Sequence, residues 1–542
     1  MGPDVAEQEI SGGGRRKAEG EPEWESEASR LPPPASRLPS NASRPIVVCL
    51  ASGALLALAF PAIDLDFVAW IALAPLLWSI VAVSPGRAFW LGWLAGSSFS
   101  LATLYWVVHP ISTYTPIPLV GAVLIVVLMC AVLATATGFF AAAVAFTARR
   151  GFSPLWFAPC WWVTLEWLRS WLALGFPWDL LGYTQYRNLA TVQIAEVTGV
   201  YGLSALLVLA NALVAAAFRP GEHLGRRLRH AGAFVGLLLV VHVLGSWRHS
   251  QLAQREPTEH LRAAVVQGSI PQELKWDPAY QETTLATYED LTRRIAGNGV
   301  ELVVWPETAT PFFFQMGGPF SNRVTDLTRA TGAWLLFGSP GYERDGDAGL
   351  VSTNRAYLLS PTGAVAGSYD KVILVPFGEY VPFQRILFFV DKIAHSAASL
   401  RPGSGVSALP FGSQRAGVLI CYETIFPFLA RRSVAGGATV LVNVTNDAWF
   451  GRTSAPYQHL AMAVLRAVEN RVPLIRAANT GISAFVLPDG RIEDPTPLFE
   501  PTFRLADLAW TTSPTIYTRY GDVFAGACAV ASFLALLACV IM

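Results

Sequence analysis

Eight apolar stretches constrain this chain more than anything else in it: roughly 45–61, 66–83, 88–108, 117–147, 155–174, 189–218, 229–247 and 523–541. A helix rises about 1.5 Å per residue, so about 20 apolar residues cross the hydrocarbon of a bilayer. Two of the stretches are longer than one crossing needs, which predicts tilt, protrusion or a break. Composition agrees with lipid surroundings. Only 14% of the 542 residues are charged and 53% are hydrophobic, whereas a soluble chain carries about a quarter charged. The formal net charge is zero and no basic block offers nucleic acid a docking surface. The apolar residues crowd into 45–247 and 523–542, and 248–522 reads as an ordinary globular sequence.

Four segments follow. Residues 1–44, rich in Pro, Ser, Glu and Arg with no hydrophobic period, are expected to stay disordered, because they bury too little apolar area to offset chain entropy. The first apolar run starts only near Pro45 and no small-residue cleavage site follows it, which argues against a cleavable signal peptide. Residues 45–247 are expected to form a seven-helix bundle, 248–522 a soluble domain and 523–542 a last transmembrane helix.

Arginine orients the bundle. The tail carries Arg15, Arg16, Lys17, Arg30, Arg37 and Arg44. Alternate loops then carry Arg87, the pair Arg149 and Arg150, and the group Arg219, Arg226, Arg227 and Arg229. The intervening loops at 62–65 and 109–116 carry none, and 175–188 only Arg187. By the positive-inside rule both termini are cytoplasmic and 248–522 lies on the far side of the membrane. Within the expected spans sit Glu166, Arg169, Glu196, Asn211 and His242. Ionisable groups there are functional candidates by default, although Glu166 and Arg169, three apart on one face, could simply pair.

Five of the six cysteines, Cys49, Cys130, Cys160, Cys528 and Cys539, fall in expected spans, where thiols behave as small hydrophobes. Cys421 alone lies in the soluble domain and has no disulfide partner there, so it is either an inert core residue or a working thiol. Its surroundings favour the second. AAVVQGSI at 263–270, VELVVWPET, GAWLLFGSP, AGVLICYET and ATVLVNVTNDAW read as buried strands. NRAYLLSPTGAVAGSYDKVILV and GISAFVLPDGRIE read as hairpins, and AYQETTLATYEDLTRRIAG and HLAMAVLRAVENR as helices. Glu307, Lys371 and Cys421 each follow a strand, where a side chain is rigidly held yet opens into a loop. A thiol nucleophile needs a base for its proton and a donor for the oxyanion, and this trio supplies those roles. Lysine is also scarce. Of 39 basic residues only Lys17, Lys275, Lys371 and Lys392 are lysine, so Lys371 hints that Arg would not serve there.

VVWPET, DKVILVPFGEY, ICYE and NVTNDAWFG resemble the signature segments of the nitrilase (carbon–nitrogen hydrolase) superfamily. With VVQGSIPQELKWDP, GFPWDLLGY at 175–183 and the hydrophobic flanks, the whole from about residue 45 onward resembles the bacterial apolipoprotein N-acyltransferase family. The resemblance implies a membrane α-helical bundle of about eight spans plus an α/β nitrilase-like αββα sandwich domain, in the bacterial inner membrane. It implies Cys421 as nucleophile, Glu307 as general base and Lys371 as oxyanion stabiliser, with the Tyr422 N–H as second donor. Glu379 and Glu423 match carboxylates expected to orient Lys371 or the substrate. Trp276, Tyr422, Asn446 and Trp449 match positions expected near the substrate or its lid. The implied reaction passes an acyl chain from a phospholipid, typically phosphatidylethanolamine, through a thioester. The acceptor is the N-terminal diacylglyceryl-cysteine of a lipoprotein.

Other signatures are absent. There is no GxSxG, HExxH or phosphate loop, and the eight histidines are scattered, so neither a metal nor another cofactor is expected. A membrane-tethered amidase would need one helix, not seven before the domain. A transporter with an outer binding domain would need paired broken spans, of which few signs exist. Two apolar stretches, Pro311–Phe314 and Val381–Val390, read as a rim opening the site toward lipid, or else as domain core. The orientation is directly testable. A reporter active only outside the cytoplasm should work when fused near Gln254 and fail near Gly221; the reverse would overturn both the topology and the lipoprotein reading.

Overall fold

The computed structural model describes residues 43–171, 175–345, 349–382 and 400–542. The expected disordered tail lies outside them, except that its last two residues open the first helix. Helices occupy all the apolar stretches: α1 (Ser43–Leu58), α2 (Ala74–Ile80), α3 (Pro85–Thr103), α4 (Val108–Tyr114), α5 (Leu119–Arg149), α6 (Pro154–Trp171), α7 (Ala195–Thr198), α8 (Val200–Ala217) and α9 (Leu224–Ala253), with α16 (Val523–Ile541) at the C-terminus. Among the described residues four helices, α5, α8, α9 and α16, are long and apolar enough to cross a membrane. A fifth is added if α3 and the bent continuation Tyr105–Tyr114, turned by 56°, count as one. Arg44–Leu58 and Asp66–Ile80 are shorter apolar helices.

Two further stretches are broken: 189–218, where a break is one of the outcomes its length allows, and 66–83, where the apolar pattern shows nothing. Before α2 the chain runs as a 3₁₀ turn, Asp66–Trp70, and the buried Asn211 of α8 repairs the break. Its Oδ1 accepts from the N–H groups of Leu73 (2.7 Å) and Ala74 (2.9 Å), and its Nδ2 donates to the Ala69 carbonyl (2.8 Å). The stretch at 189–218 is interrupted at Gly199, whose φ of +65° suits a residue without Cβ; a Cβ there would lie 2.6 Å from the Tyr517 ring. Glu166 and Arg169 do not form an ion pair. Glu166 Oε1 accepts from the Leu181 N–H (2.7 Å) and from Trp162 Nε1 (2.8 Å), and Arg169 Nη2 donates to the Trp178 carbonyl (3.0 Å). Both brace the 175–188 loop. His242 is exposed on α9.

Among the described residues, the segment between α9 and α16 holds twelve strands: β1 (Glu259–Gln267), β2 (Leu302–Val304), β3 (Trp334–Asp345), β4 (Gly349–Leu359), β5 (Val365–Asp370), β6 (Ala408–Phe411), β7 (Gln414–Ile420), β8 (Val440–Thr445), β9 (Leu474–Ala478), β10 (Ala484–Val486), β11 (Ile492–Glu493) and β12 (Thr502–Trp510). They form two six-stranded sheets in the orders β12-β1-β2-β3-β4-β5 and β11-β10-β9-β8-β7-β6. β1–β2–β3 and β7–β8–β9 are parallel and the other pairings antiparallel.

Strand periodicity builds the layers. Ala263, Val265, Leu302, Val304 and Leu336 face Val418, Ile420, Val442, Val444 and Ile475 in a core between the sheets. The alternate residues Ala264, Val266, Val303 and Leu335 face outward onto α11 (Gln281–Arg293) and α12 (Pro319–Thr331), with the short α10 (Gln272–Lys275) preceding them. On the other outer face lie α13 (Pro427–Ala435) and α14 (Ala455–Asn470), followed by α15 (Ile516–Tyr520) before the last helix. The result is an αββα sandwich. Phe314 belongs to the α11–α12 core, with Phe312 packed against it, so Pro311–Phe314 is not a lipid-facing rim. Most of Val381–Val390 lies outside the described residues.

α14 is buried along its whole length because the bundle covers its outer face. One core cluster runs from Leu104, Trp106, Val126 and Cys130 of the bundle to Leu460, Val464 and Val468 of α14. At its centre Gln458 Oε1 accepts from two buried indoles, Trp106 Nε1 (3.1 Å) and Trp178 Nε1 (2.9 Å), while Gln458 Nε2 donates to the Thr103 carbonyl (3.0 Å).

Candidate active site

Parallel strands that end side by side bring their following loops together. β2, β7 and β8 do this from the two facing sheets, and β5 joins them from the edge of its sheet. Glu307 follows β2, Lys371 follows β5, Cys421 follows β7 and Asn446 follows β8. All four side chains are buried, Cys421 at 8% exposure.

Cys421 has φ +50°, an unusual value for a side chain of this kind, and opens a single 3₁₀ turn, Cys421–Ile425. The first N–H groups of such a turn, Tyr422 among them, have no partner within it. Glu423 holds the turn in place. Its Oε2 accepts from the Ile420 N–H (2.7 Å); its Oε1 accepts from the Val372 (2.6 Å) and Ile373 (3.2 Å) N–H groups and from the Tyr369 hydroxyl (2.9 Å). One carboxylate thus ties the thiol's turn to the backbone just after Lys371. Burial lifts the Glu423 carboxyl to about 7, against the pull of those N–H groups.

The charged groups form a compact set. Lys371 Nζ lies 2.9 Å from Glu379 Oε1 and 3.6 Å from Glu307 Oε1. Asn354 Nδ2 donates to both carboxylates, at 2.7 Å to Glu307 and 2.9 Å to Glu379. Glu307 Oε2 accepts from the Asn446 N–H (2.9 Å), and Glu379 Oε2 from the Val375 N–H (2.8 Å). Burial opposes the Lys371 charge, but Glu379 and Glu307 outweigh it and hold the ammonium above its ordinary range. Burial first, and the Glu307 charge second, push the Cys421 thiol up to about 12, with Lys371 pulling the other way. A thiol in that state reacts only if a base takes its proton as it attacks.

The remaining expected residues divide in two. Trp276 (54% exposed) and Trp449 (36%) stand at the surface, Trp449 edge-on to Tyr114 of the bundle with ring centroids 4.9 Å apart. Tyr422 donates from its hydroxyl to the Gly175 carbonyl (3.0 Å), and Asn446 points its side chain at Gln272 and Asn479. Asn446 thus meets Glu307 through its backbone N–H, while its side chain joins Gln272 and Asn479.

Other members escaped the sequence reading. Lys275, buried beneath the site, donates to the Glu307 carbonyl (3.0 Å), and burial brings its ammonium down to about 8. Behind Cys421, His459 Nε2 donates to the Cys421 carbonyl at 3.2 Å, since a carbonyl can only accept. Its Nδ1 lies 3.1 Å from both Asp447 Oδ1 and Arg476 Nη2, and Arg476 also meets Asp447 Oδ2 at 2.7 Å. Burial first, and the Arg476 charge second, lower the His459 pKa; burial opposes the Asp447 charge, but Arg476 leads the groups that hold that carboxyl down at about 2. Among the described residues no group of three His, Cys, Asp or Glu side chains could hold a metal ion.

Residues 52–213 match the family described as the apolipoprotein N-acyltransferase N-terminal domain, and residues 262–512 match the carbon-nitrogen hydrolase family. An apolipoprotein N-acyltransferase of Geobacter metallireducens is 43% identical over 490 residues, covering 90% of this chain and 93% of its own. The chain belongs to the apolipoprotein N-acyltransferase family. The homologue of Chlorobaculum tepidum is 32% identical over 538 residues, with 92% and 97% covered. An amidase of known structure from Nesterenkonia sp. is 24% identical, overlaps 50% of this chain and 97% of its own, and has a TM-score of 0.38. The chain is accordingly an acyltransferase, and its carbon-nitrogen hydrolase domain, which contains every site residue named here, fits chemistry through a cysteine.

Glu307 and Lys371 act on the thiol with opposite sign. Glu307→Gln removes a negative charge that raises the thiol pKa, so the pH profile of Cys421 alkylation by a small reagent should move to lower pH. Acyl transfer should nonetheless fall by about 10²–10⁴-fold. Lys371→Met should move the alkylation profile to higher pH and cost acylation about 10²–10³-fold. Shifts of the same sign in both variants, or near-normal acylation in either, would contradict these assignments.

Proposed function

We propose that this enzyme N-acylates the N-terminal diacylglyceryl-cysteine of lipoproteins, taking the acyl chain from phosphatidylethanolamine through a thioester on Cys421. The meeting of Glu307, Lys371 and Cys421 at three strand ends, on a turn packed against a hydrophobic bundle, carries the reading. Glu307 takes the thiol proton as Sγ attacks the sn-1 ester carbonyl. Lys371 and the Tyr422 N–H stabilise the oxyanion, and Glu307 returns the proton to the departing glycerol oxygen, releasing lysophospholipid. The acceptor amine then attacks the thioester; Glu307 takes the amine proton and passes it to the leaving thiolate. Glu379 and Asn354 hold Lys371 and Glu307 at their stations, and Glu423 fixes the turn that presents Sγ. Trp276 and Trp449 flank the entrance where both substrates arrive.

The setting we propose is an eight-span bundle in the bacterial inner membrane. Its parts are a cytoplasmic tail at 1–44, seven spans within 45–247, a periplasmic catalytic domain at 248–522 and a final span at 523–542 that returns the C-terminus inside. Both substrates are bilayer-anchored, and exposing their chains to water would cost about 0.8 kcal/mol per CH₂, so a catalyst embedded beside them avoids that cost. Enzyme incubated with phospholipid alone should carry a hydroxylamine-sensitive acyl adduct on Cys421 by mass analysis. An adduct on another residue, or turnover by Cys421→Ala, would remove the thioester from the mechanism.

A further inference from the structure

A second concave site lies away from Cys421, where the catalytic domain meets the end of α9. It is a cavity of about 260 Å³ whose lining includes Arg248, Arg255, Arg471, Arg491, Glu196 and Asp489. Four guanidiniums face two carboxylates, an excess of two positive charges. Internal pairing uses only part of the donor set. Glu196 takes Arg248 through Oε1 (2.5 Å) and Oε2 (2.7 Å), and Arg471 through Oε2 (2.9 Å). Arg471 spends its other nitrogens on Pro488 O and Gln193 Oε1, both at 2.6 Å. Arg491 meets Asp489 through Nε alone (2.8 Å), and Arg255 has no side-chain hydrogen bond or ion pair among the described residues. Trp510, also in the lining, is buried and its Nε1 has no acceptor, a donor that costs free energy unless an oxygen meets it.

The level of this cavity identifies what meets it. On α9, Val240, Val243, Leu244 and Trp247 form an exposed apolar stripe at i, i+3, i+4 and i+7 spacing, and Arg248 follows directly. The opposite wall includes Ile516, and exposed Tyr520 and Val523 then lead into α16. The cavity therefore sits where two apolar helices end, the depth of lipid headgroups, with an aromatic side chain at the boundary on each side. Guanidiniums with free N–H groups suit phosphate oxygens, and two excess charges favour an anionic over a zwitterionic ligand. We infer that this cavity is a second, non-catalytic site for the phosphate of an anionic phospholipid, whose chains lie along the Val240–Trp247 stripe. The site holds the catalytic domain down on the membrane while Cys421 draws on a different lipid.

The inference rests on reading α9 and α16 as membrane spans, not on the chemistry at Cys421. The full-length protein in detergent is titrated with phosphatidylglycerol, phosphatidylcholine or inorganic phosphate, and bound molecules are counted by native mass spectrometry. The expected result is one phosphatidylglycerol retained in preference to phosphatidylcholine, with inorganic phosphate unable to displace it. Arg255→Gln with Arg491→Gln should weaken that retention about 25-fold, at roughly fivefold per guanidinium. These two residues leave the Glu196 pairs intact, and a single Trp510→Phe variant tests the same cavity without changing charge. Equal retention of the two lipids, or retention indifferent to the arginines, would overturn the inference. Arginine-dependent binding of inorganic phosphate at matching affinity would overturn the lipid assignment. Cys421 acylation is followed in the same preparations, so failure of the catalytic reading shows itself there and leaves the lipid comparison readable.

Discussion

One buried amide joins the two halves of the molecule. Gln458 accepts from the Trp106 and Trp178 indoles and gives its own N–H to the Thr103 carbonyl, so α14 is fastened to the bundle by directional bonds within an apolar seam. Removing that acceptor would leave two indole donors buried without partners, at about 1–3 kcal/mol each. The next residue along the same turn, His459, points inward and donates to the carbonyl of Cys421. Adjacent side chains on one helix thus hold the bundle on one side and the Cys421 backbone on the other. Tyr422 adds a second tie by donating to Gly175, at the start of the loop that carries Trp178.

The electrostatics of the site depend on that rigidity. Glu307, Lys371 and Glu379 are charged and largely out of water, an arrangement that is costly unless every charge is paired and hydrogen-bonded. Asn354 bridges the two carboxylates, backbone N–H groups take their remaining oxygens, and Lys371 neutralises one of them. The thiol beside them stays protonated at neutral pH. A resting thiol next to a carboxylate suits the proposed reaction, in which Sγ becomes nucleophilic only once a substrate is in place.

Local pattern made much of this readable, and long-range pairing hid the rest. Glu307, Lys371 and Cys421 stand at strand ends that hydrophobic runs mark plainly, and their segments match family signatures. Asn354 sits in an ordinary-looking strand, and Lys275 in a segment that the resemblance marks without giving it a role; only the fold brings both to Glu307. Arg476 is a charge in the middle of β9, which no strand pattern favours; its partner Asp447, 29 residues earlier, explains it only in three dimensions. β12 pairs antiparallel with β1 from the far end of the domain, so no local signal announces it. Within the bundle, hydropathy finds the apolar stretches and their lengths allow a break in 189–218, but the pattern neither places it at Gly199, beside Tyr517, nor shows the break before α2 that Asn211 bridges. The Pro311–Phe314 run shows the limit of composition, since a buried core and a lipid-facing rim ask for the same residues.

The bundle and the turn that carries Cys421 are expected to open as one unit. Hydrogen exchange of the full-length protein in nanodiscs tests this through the amides of 418–426, α14 and 178–186. One shared protection level is expected for these three segments, with a parallel loss in Gln458→Ala that spares β1 to β5. Faster exchange confined to the turn around residue 458, with the Cys421 segment unchanged, would contradict it.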